Sequence, residues 1–257
     1  MTDQLSLRLE AGLPRLPGSL RPMLPRTAEA PFDSADHLFE PAWGGERALA
    51  FIEPRDREPT PTWRDIRLLD RRGREVAALF PELAGLAARI AATSAILDGE
   101  LVVVDRAGRA DPGALARRLM GSAGPLVAYL VFDLPYLDGR PLLGEPLERR
   151  RDALRRILHP GEAVIAVPAI VGDGCALHAA VVAQGIAGIM ARQRHSPYLP
   201  GVRSLLWRFV PSGAAAADGG APEDAAAAVD GQRAEPVLEL ASAPPVLALI
   251  QRLPLED

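Results

Sequence analysis

Short apolar runs separated by turn residues dominate the first 211 positions of the chain. Apolar runs of this length, bounded by Gly, Pro and Asp, are typical of β-strands. Two of them flank the turn Trp43-Gly44-Gly45, and the run at 127–134 predicts a central strand. Strands are predicted at 38–41, 47–53, 64–69, 96–105 (one long strand or a pair), 127–134, 163–169, 186–191 and 205–210.

Helical spacing of apolar residues is less frequent. Pro81 at a first-turn position begins a predicted helix whose inward stripe includes Leu83, Leu86 and Ile90. Asp111 is predicted to cap a short helix at 112–119. An amphipathic helix with an Arg-rich outer face is predicted at 148–158, and another helix at 176–184. Because strands outnumber helices and rarely alternate with them, the fold class is α+β, with two mainly antiparallel sheets and flanking helices.

The two ends of the chain differ from this central pattern. Residues 1–37 are rich in Pro and Leu and predict an extended segment that packs on the domain. Residues 212–235 are Ala, Gly, Asp and Pro without apolar periodicity, which predicts a disordered linker. Apolar residues return at 236–257, a short segment expected to dock on this chain or on a partner.

Composition narrows the class of protein. The chain has 257 residues, and every one of its 29 basic residues is Arg. One cysteine and the lack of a signal-peptide pattern predict a cytoplasmic protein, and no apolar run is long enough to predict a membrane span. Residues 212–257 carry eight acids and two Arg, so the remainder, with 25 acids and 27 Arg, is nearly neutral. This near-neutral charge argues against a strongly basic surface for nucleic-acid binding. We also expect the protein to be a monomer.

The stretch from Glu40 to Arg47 carries the most specific chemistry. It resembles the first motif of the ATP-dependent DNA ligases of the bacterial end-joining type, in which the pattern reads E-P-K-W-D-G-x-R. Ala42 stands at the position of the nucleophilic Lys, and Gly44 at that of the Asp. The matching residues are Glu40, Pro41, Trp43, Gly45 and Arg47.

Later stretches resemble the other family motifs in the same order. Residues 69–73 are similar to S-R-x-G, residues 97–101 contain D-G-E, and residues 131–139 are close to F-D-L-x-Y-L-D-G. Residues 185–192 are similar to G-x-E-G-x-V-x-K, residues 196–201 match S-P-Y-x-P-G, and residues 207–211 stand where W-x-K-x-K is expected. The resemblance therefore covers a domain at about 20–211.

The resemblance implies a fold and a set of ligand contacts. The fold is the ATP-grasp-like nucleotidyltransferase adenylation domain, whose family role is to seal DNA nicks in repair and recombination through a lysyl–AMP intermediate. Residues at nucleotide-binding positions of the family are Glu40, Arg47, Arg71, Glu100, Phe132 and Arg192. Phe132 is the residue implied to stack on adenine, and Arg192 stands at a family Lys position.

Several residues that act on the phosphates are replaced. The methyl group of Ala42 has no lone pair, so it cannot attack the α-phosphate, and the chain has no other Lys. Ala187 stands where a metal-assisting Glu is expected, so Mg²⁺ is not expected. Phe209 and Pro211 replace two phosphate-binding Lys. We still expect ATP or AMP to bind through the residues at the family's adenosine-binding positions. In the alternative interpretation Phe132 is only a core residue, while Arg47 and Arg71 pair with Glu100.

Three functions follow from the resemblance. The first is a catalytically inactive adenylation domain. The second is a non-enzymatic interaction module for DNA or for a DNA-repair protein, such as a Ku-type end-binding protein or an active ligase. The third is a weakly active or nucleotide-binding homologue. An OB-fold is not expected after residue 211, because a five-stranded barrel needs about 70 residues or more.

Overall fold

The computed structural model describes residues 16–53, 66–105 and 109–213. Within these ranges it contains eleven strands and three α-helices, together with 3₁₀ segments at Ala77–Leu79 and Pro81–Arg89. The strands are β1 (Leu24–Thr27), β2 (Ser34–Ala42), β3 (Glu46–Ile52), β4 (Ile66–Asp70), β5 (Ala95–Val103), β6 (Val127–Leu137), β7 (Arg140–Pro141), β8 (Val164–Ala166), β9 (Ile170–Gly172), β10 (Gly188–Gln193) and β11 (Arg203–Pro211). The helices are α1 (Pro112–Leu119), α2 (Leu147–Ile157) and α3 (Gly174–Ala183).

The strands form two sheets. The first has the order β1-β11-β10-β2-β9, in which β1 runs parallel to β11 and the other pairs are antiparallel. The second has the order β4-β3-β5-β6-β7, and β8 pairs with β6 in parallel. The α+β prediction with two mainly antiparallel sheets is therefore confirmed.

The chain passes from the first sheet to the second at the turn Trp43-Gly44-Gly45. Gly44 has a φ of 74°, in the left-handed region that favours glycine. A Cβ at Gly45 would lie 2.1 Å from the Leu101 carbonyl oxygen, so only glycine fits between β3 and β5. These two glycines bring the end of β2 against the start of β3, and they thereby join the two sheets at one corner.

Two large buried clusters hold the layers together. One contains residues of both sheets, among them Phe39 and Trp207 from the first and Leu130 and Phe132 from the second. The other lies on the opposite side of the second sheet, where α1, α2 and the longer 3₁₀ segment cover it. Helix α3 packs on β2 and β10 of the first sheet. The space between the two sheets is thus lined by the motif residues.

Most predicted elements are present, and three differ from the prediction. The region predicted at 96–105 forms one strand, Ala95–Val103, with register shifts beside Asp98 instead of a break. The helix expected after Phe80 is a 3₁₀ helix, although its stripe Leu83, Leu86 and Ile90 is buried as predicted. Strand β9, only three residues long, was not predicted.

The predicted Arg-rich outer face of α2 is partly wrong. Arg150 and Arg151 are buried. Arg150 makes a two-fold ion pair with Asp133, at 2.8 Å for Nε–Oδ1 and 2.7 Å for Nη2–Oδ2. A buried guanidinium is tolerable when it is paired and hydrogen-bonded in this way. Arg149, Arg155 and Arg156 are exposed as expected.

Other predictions concern residues that the structure does not describe. The first part of the N-terminal segment (1–15), the loop 54–62 and the linker and apolar segment beyond Gly213 lie outside the described residues. Among the described helices, none is long and apolar enough to cross a membrane.

Candidate functional site

The inner face of the first sheet is built by three rows of cross-strand neighbours. Because side chains alternate along a strand, residues two apart share a face. The rows are Leu38–Arg192–Trp207, Glu40–Met190–Phe209 and Ala42–Gly188–Pro211, each taken from β2, β10 and β11 in turn. Residues of the first motif and of the stretches at 185–192 and 207–211 therefore stand side by side.

Glu40 is the anion at the centre of this face. Its buried carboxylate forms ion pairs with Arg151 of α2 and with Arg192 of β10. Arg151 also donates to the Val167 carbonyl oxygen. Burial, together with the neighbouring Arg192 and Arg155 charges, lowers the pKa of Arg151 to about 9. Arg151 is still a cation at neutral pH, so the group of three carries one excess positive charge in the interior.

Arg47 is fixed by Asp98 in the second sheet. The Nε–Oδ1 and Nη2–Oδ2 distances are 2.5 and 2.6 Å, and the Tyr198 hydroxyl donates to Oδ2 at 2.6 Å. Burial and the nearby Asp98 charge raise the pKa of Tyr198 well above its usual value, so the hydroxyl keeps its proton. Sequence reasoning missed Asp98 as a site residue. The available signal was an acid inside a predicted apolar strand, which must find a partner when buried.

Phe132 lies beneath two guanidinium groups. The Cζ atoms of Arg47 and Arg192 lie 4.4 and 4.0 Å from the ring centroid, and the ring is only 4% exposed. Trp207 contacts the same ring edge to face, with centroids 6.2 Å apart. Cations over an aromatic face are attracted by its quadrupole. In this structure the chain's own side chains cover the ring that the resemblance assigns to adenine.

The position that the resemblance assigns to the nucleophile is apolar. Ala42 is 4% exposed and forms a small buried cluster with Met190 and Phe209. Ala187 is half-buried, and its carbonyl oxygen accepts a hydrogen bond from the Ser212 amide. The side of the cleft that would face phosphates in the family therefore presents methyl, thioether and phenyl groups.

Glu100 and Arg71 lie at the corner where the sheets meet. The Glu100 carboxylate accepts a hydrogen bond from the Gly45 amide. Arg71 lies with its Nε 3.6 Å from a carboxylate oxygen of Glu46. Burial raises the pKa of Glu46 above its usual value, while Arg71 acts in the opposite direction. These two predicted residues thus contact the turn before β3 and the first residue of β3.

The predicted residues fall into two groups. Contacts join Glu40, Arg192, Phe132 and Arg47 into one continuous set between the sheets, and Arg71 and Glu100 stand at its border. In the described ranges, no group of three or more His, Cys, Asp or Glu side chains is arranged to hold a metal ion.

This arrangement of two sheets around the motif residues is that of a nucleotidyltransferase-type adenylation domain. The model of the ATP dependent DNA ligase domain matches residues 22–208, and the chain belongs to that family.

Two bacterial relatives share this region of sequence. The chain is 33% identical over 191 residues to the multifunctional non-homologous end joining protein LigD of Mycobacterium bovis, covering 74% of this chain and 23% of LigD. It is 31% identical over 213 residues to a probable DNA ligase of Rhodococcus opacus, covering 80% of this chain and 40% of that protein. The chain therefore spans less than half the length of these relatives.

Solved structures agree with the fold. Mycobacterial DNA ligase D complexed with ATP and MES superimposes with a TM-score of 0.61 at 29% identity, covering 75% of this chain and 60% of that one. The ligase domain of LigD from M. tuberculosis gives a TM-score of 0.58 at 30% identity, with coverage of 74% and 58%.

Proposed function

We propose that this chain is a non-catalytic adenylation domain of the ATP-dependent DNA ligase family, which forms no lysyl–AMP and seals no nicks. Ala42 carries the proposal. It stands at the nucleophile position, buried against Met190 and Phe209, in a sequence without Lys. Adenylation of this kind needs an amine lone pair in line with the α-phosphate, and a methyl group has none.

Neighbouring cations do not replace the missing amine. Arg47 and Arg192 are the basic side chains closest to the Phe132 ring, and a guanidinium stays protonated in proteins. Arg47 is held by Asp98, and Arg192 is held by Glu40. Both are therefore charged, oriented by carboxylates and non-nucleophilic.

The test of the proposal is self-adenylation. The purified chain is incubated with ATP and Mg²⁺, and its intact mass is measured beside a catalytically active DNA ligase as the positive control. We expect no gain of one AMP in this chain and a clear gain in the control. An AMP adduct on this chain, or sealing of a nicked duplex by it, would overturn the proposal.

Binding of ATP or AMP without chemistry is a second candidate function. It is favoured by the retention and close grouping of Glu40, Arg47 and Phe132, and by the ATP-bound state of the mycobacterial relative. Binding requires the Arg192 guanidinium to leave the Phe132 ring, which makes affinity weak. Mg²⁺ has no role in this candidate, since Ala187 supplies no carboxylate.

Calorimetry with ATP and AMP distinguishes nucleotide binding from a cleft that the chain's own side chains keep closed. If the chain binds nucleotide, we expect a heat of binding that Phe132→Ala abolishes and that Arg192→Ala increases. The Leu205→Ala variant, at an exposed position of β11, is the matched control and leaves the heat unchanged. No heat with any of the four proteins would reject nucleotide binding.

A non-enzymatic domain acts through what it binds. The end-joining relatives point to DNA breaks as the setting, so the proposed partners are DNA, a Ku-type end-binding protein or an active ligase. A gel shift at low and moderate salt tests DNA, and co-purification with each purified protein tests the other two. No complex with any of them would contradict a role in that setting.

A further inference from the structure

Helix α3 turns an apolar face outward. It has no charged side chain between Gly174 and Ala183, and it buries Leu177 and Val181 against the first sheet. Its exposed residues are Cys175, Ala176, Ala179, Val182 and Ala183. At 3.6 residues per turn these five positions fall on one continuous stripe, about a third of the helix circumference.

This face is unlike the outer face of α2. The exposed residues of α2 are Arg149, Asp152, Arg155 and Arg156, which are the polar types expected on a water-facing helix. On α3, by contrast, Val182 is 44% exposed, and Val171 of the neighbouring strand β9 is 47% exposed. An exposed apolar helix face of this kind is typical of a contact with another segment.

The described part of the chain ends beside the same helix. The Pro211 carbonyl oxygen lies 2.9 Å from Nε2 of His178 in α3. The Ser212 hydroxyl donates to the Ile186 carbonyl oxygen at 2.6 Å, and its amide donates to Ala187 at 3.0 Å. Ile186 lies three residues after the end of α3, and its amide donates to the Val181 carbonyl oxygen at 2.9 Å. Ser212 is therefore held next to the C-terminal end of the apolar face.

We propose that the apolar segment 236–253 of this same chain covers the outer face of α3. The residues between Gly213 and this segment number 22, from Ala214 to Glu235. As a flexible chain they would span about 26 Å, whereas the ten residues of α3 measure about 15 Å. The apolar residues of the segment are Val237, Leu238, Leu240, Val246, Leu247, Leu249, Ile250 and Leu253.

Because the segment is joined to the domain by a linker, a small apolar face is enough to bind it. A segment joined by a short linker has an effective concentration in the millimolar range at its target. Docking in the same chain therefore needs only a few apolar contacts, such as those that Val182 and the alanines of α3 offer. A separate partner without this tether would need a larger surface.

The single cysteine provides the test. Cys175 is exposed at the start of α3, so a nitroxide attached to it labels this face alone. Paramagnetic broadening is then measured on the amide resonances of the full isotope-labelled chain. Besides the residues of the folded domain that lie close to Cys175, we expect strong broadening of residues 236–253. Val182→Asp and Ile250→Asp should each abolish it, whereas Met120→Asp, at a 75% exposed apolar position elsewhere, should not.

Three outcomes would overturn the proposal. The first is the absence of broadening in the labelled, otherwise unchanged sequence. The second is broadening that persists in both aspartate variants. The third is broadening that requires the nitroxide and the isotope label to be on different molecules, which would assign the face to a second copy. The measurement does not depend on nucleotide or adenylation, so its result is independent of the proposed function.

Discussion

At the scale of single residues, the changes at the phosphate side of the cleft compensate one another. Ala42 lacks an amine, and Met190 and Phe209 fill the space around it with apolar atoms. A single reverse substitution would therefore place an ammonium among groups that cannot solvate it. The proposed loss of adenylation therefore rests on a cluster of side chains rather than on one position.

We predict that Ala42→Lys restores no adenylation and lowers the free energy of unfolding. Overpacking of a buried site costs about 1–3 kcal/mol, and the ammonium adds a desolvation cost. Urea unfolding measures the stability, and intact mass after incubation with ATP measures the adduct. Ala42→Met is the matched control, since it adds length without charge. An AMP adduct on Ala42→Lys would show that the rest of the cleft is competent.

Glu46 gives a prediction that depends on pH. Burial raises its pKa, so the folded state binds the proton more tightly than the unfolded state does. The ionised carboxylate therefore costs stability, and this cost appears as pH rises through and above the ordinary Glu range.

Glu46→Gln should accordingly increase the free energy of unfolding at pH 7 and have little effect at about pH 3, below the ordinary Glu pKa of about 4.3. Urea unfolding at the two pH values measures the difference. Glu29→Gln, at an exposed position, is the control and should show neither effect. A loss of stability at pH 7 would mean that the attraction of Arg71 outweighs the effect of burial.

At the scale of elements, Glu40 ties α2 and β10 to β2. Its carboxylate serves two guanidinium groups, so its removal leaves both without their anion. Removing Arg151 instead leaves a neutral Glu40–Arg192 pair. Both changes break the Glu40–Arg151 ion pair, and they differ in the charge that remains buried.

We predict that Glu40→Gln costs about 3–5 kcal/mol, the range for breaking a buried pair, and that Arg151→Met costs clearly less. Urea unfolding of both variants gives the order. Arg156→Met, at an exposed position of α2, is the control for the helix itself. Equal losses for the first two variants would contradict an excess positive charge at this site.

Local sequence signals predicted the helices and strands well. They did not predict the burial of charged residues, because this depends on partners that are distant in the sequence. The Asp111 side chain accepts from the Ala114 amide at the start of α1, as its position before Pro112 predicts. The burial of Arg150 could not be read from helical periodicity, because its partner Asp133 lies on a strand 17 residues earlier. For the same reason, the pairing of Asp98 with Arg47 was not predicted from the sequence. The replacement at Ala42 could be recognised from the sequence because the motif that contains it is one contiguous stretch.

At the scale of the whole molecule, one buried cluster contains residues of both sheets. We therefore predict that the sheets unfold together. Tryptophan fluorescence, to which the buried Trp43 and Trp207 contribute, and far-UV circular dichroism should give coincident urea transitions. Leu205→Ala, at an exposed position, should leave the transitions coincident. Two separated transitions would show that the sheets are independent units.

The order of strands has a consequence for how the chain is made. All strands of the second sheet come from residues 46–166, so this sheet can form while synthesis continues. The first sheet draws on residues 24–42 and 170–211, and β11 lies between β1 and β10. Its earliest strand must therefore wait for the last one to leave the ribosome. During that interval the inner side of the second sheet, with Leu130 and Phe132, is exposed to the chaperones that bind nascent chains.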